Sequence, residues 1–184
     1  DNGACPFERT RNKHLPPYDS KSYWTYDTGW AHVGNTPFRY YKQNNHEGGI
    51  TSPAIVHWPA QINATSPVQP GSINATPAHL IDLMATCLDL TESVYPSSVD
   101  GRQIEPLMGR SLKPIFEGQA AAPHPYLYFH FGPNRGLRVG DWKVASLRKG
   151  PWELYNLSTD RNEAIDLAQD YPDKVAQLAQ QWQQ

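Results

Sequence analysis

The chain has 184 residues, 39% of them hydrophobic and 18% charged, with 16 basic residues against 18 acidic ones and a net charge of −2. That length can bury a core, although both fractions are low for a globular domain. No basic surplus or stripe marks a nucleic-acid binder, and no apolar run has the length of a membrane span. Cys5 and Cys87 are too few for a disulfide framework or a four-sulfur zinc site. The chain opens at Asp1 without Met or a charged-then-apolar leader, which is expected of a processed protein or a fragment.

Residues 1–35 are expected to be mostly loop, because Pro16-Pro17 fits neither a helix interior nor a central strand. Tyr18, Tyr23, Trp24, Tyr26 and Trp30 crowd this stretch. They serve either to pin a long loop to the body or to line a cleft. Thr36-Pro37 has the form of a helix start and predicts a short helix over residues 37–47, ended by Gly48-Gly49. Residues 53–59 are short, apolar, β-branched and bounded by prolines, which predicts a buried strand. A polar loop over residues 60–75 follows. Thr76-Pro77 repeats the start signal, and Leu80, Ile81, Met84, Cys87 and Leu88 predict an amphipathic helix over residues 77–90, with Cys87 a small core residue.

Residues 91–125 hold five prolines and are expected to form a linker with a short helix near 111–117, with a domain boundary near 95–105. Short strands come next, over residues 126–131, 137–139, 142–144 and 152–157. Gly140-Asp141 between two of them predicts a tight hairpin. A last helix begins near Pro172 and aligns Val175, Leu178, Ala179 and Trp182. Strands in succession followed by a helix suggest a small antiparallel α+β unit.

Little chemistry is visible in single residues. Asp1-Asn2-Gly3 offers two oxygen ligands of the kind hard cations prefer, but it is also an ordinary turn sequence. Lys42 is a lysine of the kind found on any helix surface. His46 and Glu47, adjacent on a helix, point about 100° apart and are not evident partners. Cys5 has Arg9 four residues on, a weak hint of an activated thiol. Asn63, Asn74 and Asn156 stand in Asn-x-Ser/Thr triplets that only a eukaryotic secretory setting would glycosylate. There is no phosphate-cradling glycine loop, no Gly-x-Ser-x-Gly elbow and no His-Glu-x-x-His.

Taken in order, the segments resemble the C-terminal part of a sulfatase of the arylsulfatase kind, over nearly the whole chain. Asp1-Asn2-Gly3-Ala4 is similar to the family's turn at the end of a central strand. Residues 29–42, ending in Tyr40-Tyr41-Lys42, resemble the segment carrying a sulfate-contacting lysine. His46-Glu47-Gly48-Gly49-Ile50, residues 53–59 and His79-Leu80-Ile81-Asp82-Leu83-Met84 continue in register. Gly109-Arg110-Ser111-Leu112, Arg138-Val139-Gly140-Asp141-Trp142-Lys143 and Glu153-Leu154-Tyr155-Asn156-Leu157 resemble the C-terminal subdomain.

The resemblance implies an α/β fold: the C-terminal part of an alkaline-phosphatase-like α/β/α sandwich over residues 1–100, then an antiparallel-sheet subdomain with a terminal helix over 101–184. It implies calcium-dependent hydrolysis of a sulfate ester, on a small molecule or a glycan, by a formylglycine nucleophile. Asp1 and Asn2 would be two calcium ligands, and Lys42 would contact a sulfate oxygen in catalysis. His46 is kept as structural. A periplasmic or secreted location is implied as well. The Cys-x-Pro/Ser-x-Arg motif that yields formylglycine and the paired aspartates of the calcium shell are absent. The expectation is therefore roughly the last third of a sulfatase, inactive and marginally stable alone. A related phosphonate or phosphate-ester hydrolase and a non-catalytic module holding a sulfated glycan on the aromatic loop are the alternatives.

Overall fold

The computed structural model describes residues 4–184. In chain order its elements are α1 (Asp27–Asn35), α2 (Glu47–Ile50), α3 (Asp82–Leu90), β1 (Ser98–Val99), β2 (Arg102–Gln103), α4 (Lys113–Phe116), β3 (Leu127–Phe131), β4 (Asn134–Val139), β5 (Trp142–Ser146), β6 (Glu153–Asn156) and α5 (Pro172–Trp182). They form two compact units. One joins the chain up to Pro53 to Tyr126–Gln184, and the other is Ala54–Pro125.

The first unit is built on an antiparallel sheet of order β3-β4-β5-β6. Each strand follows its neighbour in the chain, so short turns suffice. The expected hairpin is present: Gly140-Asp141 joins β4 to β5, and Gly140 takes φ +59°. A two-residue turn that matches strand twist needs such a left-handed residue, and glycine supplies it without a Cβ clash. The register aligns Leu137 with Val144 and Val144 with Leu154 on one face. α5 covers that face with Leu178, while Val175, Leu167 and Trp142 pack around it. Trp182 closes the edge by stacking on Tyr128 at 5.3 Å and donating its indole N–H to the Phe129 carbonyl at 3.2 Å.

The other face carries Gly136, Ala145, Lys143 and Tyr155. It is also buried, against residues 39–50, so β5 is enclosed from Lys143 to Ser146 without the exposed alternation of a half-open sheet.

Residues 37–47 do not form the expected helix; α2 begins only at Glu47. Asn44, Asn45, His46 and Glu47 are all buried in succession. A helix turns about 100° per residue and would send at least one of four neighbours outward. Tertiary contacts override the local start signal. The aromatics of residues 18–30 do not pin a loop to the body either. Tyr18, Trp24 and Trp30 are exposed, and the segment is ordered by its own bonds, such as the Arg11–Tyr23 bridge. Within the stretch read as loop, residues 27–35 form α1.

In the second unit, α3 starts at Asp82 rather than at residue 77. The Asp82 carboxylate explains this. It accepts the His79 amide at 2.7 Å, the Arg110 amide at 2.8 Å and His124 Nε2 at 2.9 Å. Thr86, one turn on, accepts the Leu112 amide at 2.9 Å. Gly109 fits here because a Cβ would lie 2.1 Å from the Ile81 carbonyl. The buried side of α3 is thus Asp82, Ala85 and Thr86, while Leu83, Met84 and Cys87 are exposed. Cys87 is not a core residue. Residues 53–59 form no strand, and Ile55 is 94% exposed. No described strand pairs with them to satisfy their backbone.

Leu154→Ala removes the centre of the α5-covered face. It should lower stability by about 2–5 kcal/mol in urea unfolding, with α5 the first helix lost.

Candidate functional site

Lys42 sits half-buried in a loop whose backbone is unusual on both sides of it. Tyr40 has φ +62° and Gln43 φ +76°. Neither is glycine, and such conformations persist only where the surroundings over-determine them. Here they do. The Gly48 amide donates to the Arg39 carbonyl at 2.9 Å. A Cβ on Gly48 would meet the Tyr40 carbonyl oxygen at 2.2 Å, and one on Gly49 the Asn44 carbonyl oxygen at 2.1 Å. The two glycines therefore lie inside α2 and admit the loop backbone against it, rather than ending a helix. From β4, Asn134 donates to the Gln43 carbonyl at 2.6 Å. Asn45 donates to the Phe129 carbonyl of β3 at 3.2 Å.

Beneath the loop lies a buried charge cluster. Lys143 Nζ is 2.8 Å from Glu47 Oε1 and 2.7 Å from Glu163 Oε1. Lys143 and Glu163 are both 0% exposed and Glu47 is 3% exposed. Glu163 accepts the Glu47 amide through its second oxygen at 2.8 Å, so a carboxylate caps the open start of α2. Glu163 itself has φ +56°. Burial pushes the Glu47 carboxyl up, but Lys143 and the Thr51 hydroxyl outweigh that and hold it below the ordinary carboxylate range. Removing one member of such a buried set typically costs about 3–5 kcal/mol, since a charge is left without its partner.

A second layer adjoins it. His46 Nε2 is 2.6 Å from Glu153 Oε2, and the Tyr155 hydroxyl donates to the same oxygen at 2.6 Å. The carboxylate can only accept, so His46 donates to it through Nε2. Arg39 bonds the Tyr155 hydroxyl and lies 3.4 Å from Glu153. Burial pushes the Glu153 carboxyl up, yet the bonds from His46 and Tyr155 and the Arg39 guanidinium bring it down to about 2. Burial and the adjacent carboxylate push Tyr155 far above its ordinary value, which keeps its hydroxyl a donor.

Among the residues singled out from sequence, Lys42 lies in this loop. Asp1 and Asn2 lie outside the described residues. Among the described residues no group of three His, Cys, Asp or Glu could hold a metal ion. His46 and Glu47 turn to different partners, Glu153 and Lys143, although they do not share a helix: His46 is extended and α2 begins at Glu47. The sequence reading missed Lys143, Glu153, Tyr155 and Glu163. A signal existed for Lys143: it is a lysine inside the apolar run Trp142-Lys143-Val144-Ala145. A charge in a central strand needs either water or a counter-charge.

A model of the sulfatase family matches residues 1–93, and the chain belongs to that family. An uncharacterised sulfatase of Schizosaccharomyces pombe is 28% identical over 173 residues, which is 88% of this chain and 29% of the relative. The steryl-sulfatase of Mus musculus is 32% identical over 136 residues, 67% of this chain and 20% of the relative. The chain thus spans less than a third of the length of these relatives. Among solved structures, Ps i-CgsB in complex with k-i-k-neocarrahexaose matches with TM-score 0.60 and 21% identity, over 81% of this chain and 32% of that one. A structure from work on glycosaminoglycan metabolism by Bacteroides thetaiotaomicron matches with TM-score 0.58 and 20% identity, over 79% and 31%. These likenesses are of fold.

Gly49→Ala should cost at least about 1–3 kcal/mol in thermal unfolding, because the new Cβ meets backbone that cannot step aside. Glu153 has a folded-state value depressed from 4.5 to about 2. Its contribution to stability is present above 4.5 and is lost as pH falls through about 2. Urea midpoints should therefore drop across that window, and Glu153→Gln should flatten the drop.

Proposed function

We propose that this chain is the C-terminal portion of a sulfatase that hydrolyses sulfate esters, with Lys42 as a sulfate-contacting catalytic residue. The observation that carries the reading is the Lys42 loop. Tyr40 and Gln43 are held in strained conformations around a lysine, at the position where the sequence resembles the family's sulfate-binding segment. Backbone strain kept in place by dense packing is characteristic of sites that must present a group accurately. A fixed ammonium there would place positive charge where negative charge gathers on the sulfate oxygens.

In this proposal Asp1 and Asn2 supply two oxygen ligands to calcium, which takes six to eight. The other ligands and the formylglycine nucleophile come from outside this chain. Calcium, when bound, would polarise the sulfate oxygens. The alkaline-phosphatase-like catalytic domain would contribute residues up to about 100, and an antiparallel subdomain would follow. The chain alone would not turn over substrate, and the exposed Ile55, Leu83 and Met84 would find their cover in the rest of the protein. We place the full protein in the periplasm or outside the cell; no helix among the described residues is long and apolar enough to cross a membrane. The substrate is a small sulfate ester or a sulfated glycan.

The test uses the full-length protein with an aryl sulfate and an aryl phosphate of the same leaving group. The sulfate should be the faster substrate, and Lys42→Ala should lower kcat on it by about 10²–10³-fold. An unchanged kcat would remove Lys42 from the site. Faster turnover of the aryl phosphate would favour the related hydrolase instead.

A further inference from the structure

We propose that Lys143, acting with Glu163, is a positioning residue for Lys42, so that the C-terminal sheet sets the geometry of the sulfate site without touching substrate. This rests on the reading of Lys42 just given. Lys143, the second residue of β5, is fully buried and bridges Glu47 at 2.8 Å and Glu163 at 2.7 Å. Glu47 begins α2 at the point where the Lys42 loop ends. Glu163 also bonds the Glu47 amide at 2.8 Å. Arg39, at the other end of the loop, donates to the Glu163 carbonyl at 3.4 Å. Both ends of the loop are therefore tied to residue 163, and Lys143 holds residue 163 to the sheet.

Three features argue that this cluster is there for position. A buried lysine between two carboxylates is an expensive way to gain stability, and an apolar set of similar volume would serve folding as well. Glu163 occupies a left-handed backbone conformation at φ +56°, where glycine or asparagine would be easier. Its side chain, with one oxygen on Lys143 and one on the Glu47 amide, is what that position gains. Finally, the loop stores strain at Tyr40 and Gln43 and would relax if its anchor moved.

The experiment measures kcat and KM on an aryl sulfate for full-length protein carrying Lys143→Met or Glu163→Gln, each alone and combined with Lys42→Ala. Circular dichroism fixes the folded fraction, and hydrogen exchange follows the Glu47 amide. Each single change should lower kcat roughly ten- to hundredfold at unchanged folded fraction, since small misplacements of a reacting-site group have effects of that size. Exchange at Glu47 should quicken. In the Lys42→Ala background the further loss should be under about twofold, because the two residues act through one ammonium. Lys143→Arg, which keeps the charge, should recover part of kcat. Effects that multiply fully with Lys42→Ala would overturn the positioning role while leaving Lys42 in the site. An unchanged kcat with Glu47 exchange quickened would overturn it too. If Lys42→Ala itself leaves kcat unchanged, the reading of Lys42 fails and takes this one with it. Should Lys143→Met not fold, Glu163→Gln carries the same comparison, since it keeps volume and one of the two ion pairs.

Discussion

One lysine between two glutamates organises the larger unit. Lys143 comes from β5, Glu47 from the start of α2 and Glu163 from the turns after β6, segments far apart in the chain. Stripping water from a lysine costs several kcal/mol unless close counter-charges answer it. The three residues must therefore meet, and their meeting fixes where residues 39–50 lie on the sheet. The second layer, His46 with Glu153, Tyr155 and Arg39, follows from the first, since His46 precedes Glu47 and both Glu153 and Tyr155 share the face of Lys143. The sheet thus has an apolar face, sealed by α5, and an ionic face, sealed by the Lys42 loop.

The smaller unit uses a related device with far less apolar support. Asp82 takes amides from two separate segments and one imidazole, and so ties residues 109–112 to the first turn of α3. What it does not do is bury the apolar side of that helix. Leu80 is 78% exposed, and Leu83 and Met84 are more than half exposed. A carboxylate that gathers backbone donors gives a defined local geometry, but it does not replace the area-proportional gain of a covered hydrophobic face. Of the two units, the one with the four-stranded sheet has its own apolar core.

What the sequence disclosed follows the same division. The strands β3 to β6, the Gly140-Asp141 turn and α5 are legible because their signals are local: short apolar runs, a turn dipeptide and an apolar stripe such as Val175, Leu178 and Trp182. Thr36-Pro37 is a local start signal and predicts helix around Lys42, whereas Asn45, His46 and Glu47 bond partners 84 to 116 positions away. Residues 53–59 had the composition of a strand, but a strand is a relation to a neighbour and composition cannot supply one. The role proposed for Lys42 rests on resemblance. Nothing in its spacing separates a lysine on a strained, clamped loop from one on a helix surface.

The paired glycines show how backbone and charge cooperate here. Gly48 and Gly49 reduce the side-chain volume of α2 to nothing on the side that meets the loop, which lets carbonyls of Tyr40 and Asn44 approach to distances a Cβ would forbid. Close approach alone would favour any conformation that avoids a clash, so it cannot select one. The ionic cluster selects, because Glu47 can reach Lys143 only when α2 starts where it does, and the Glu47 amide meets Glu163 only in that orientation. Sterics make the loop's strained path available, and electrostatics make it the low-energy one. For Lys42 in the role proposed above, a backbone held this way would leave only the side chain to order when an anion binds.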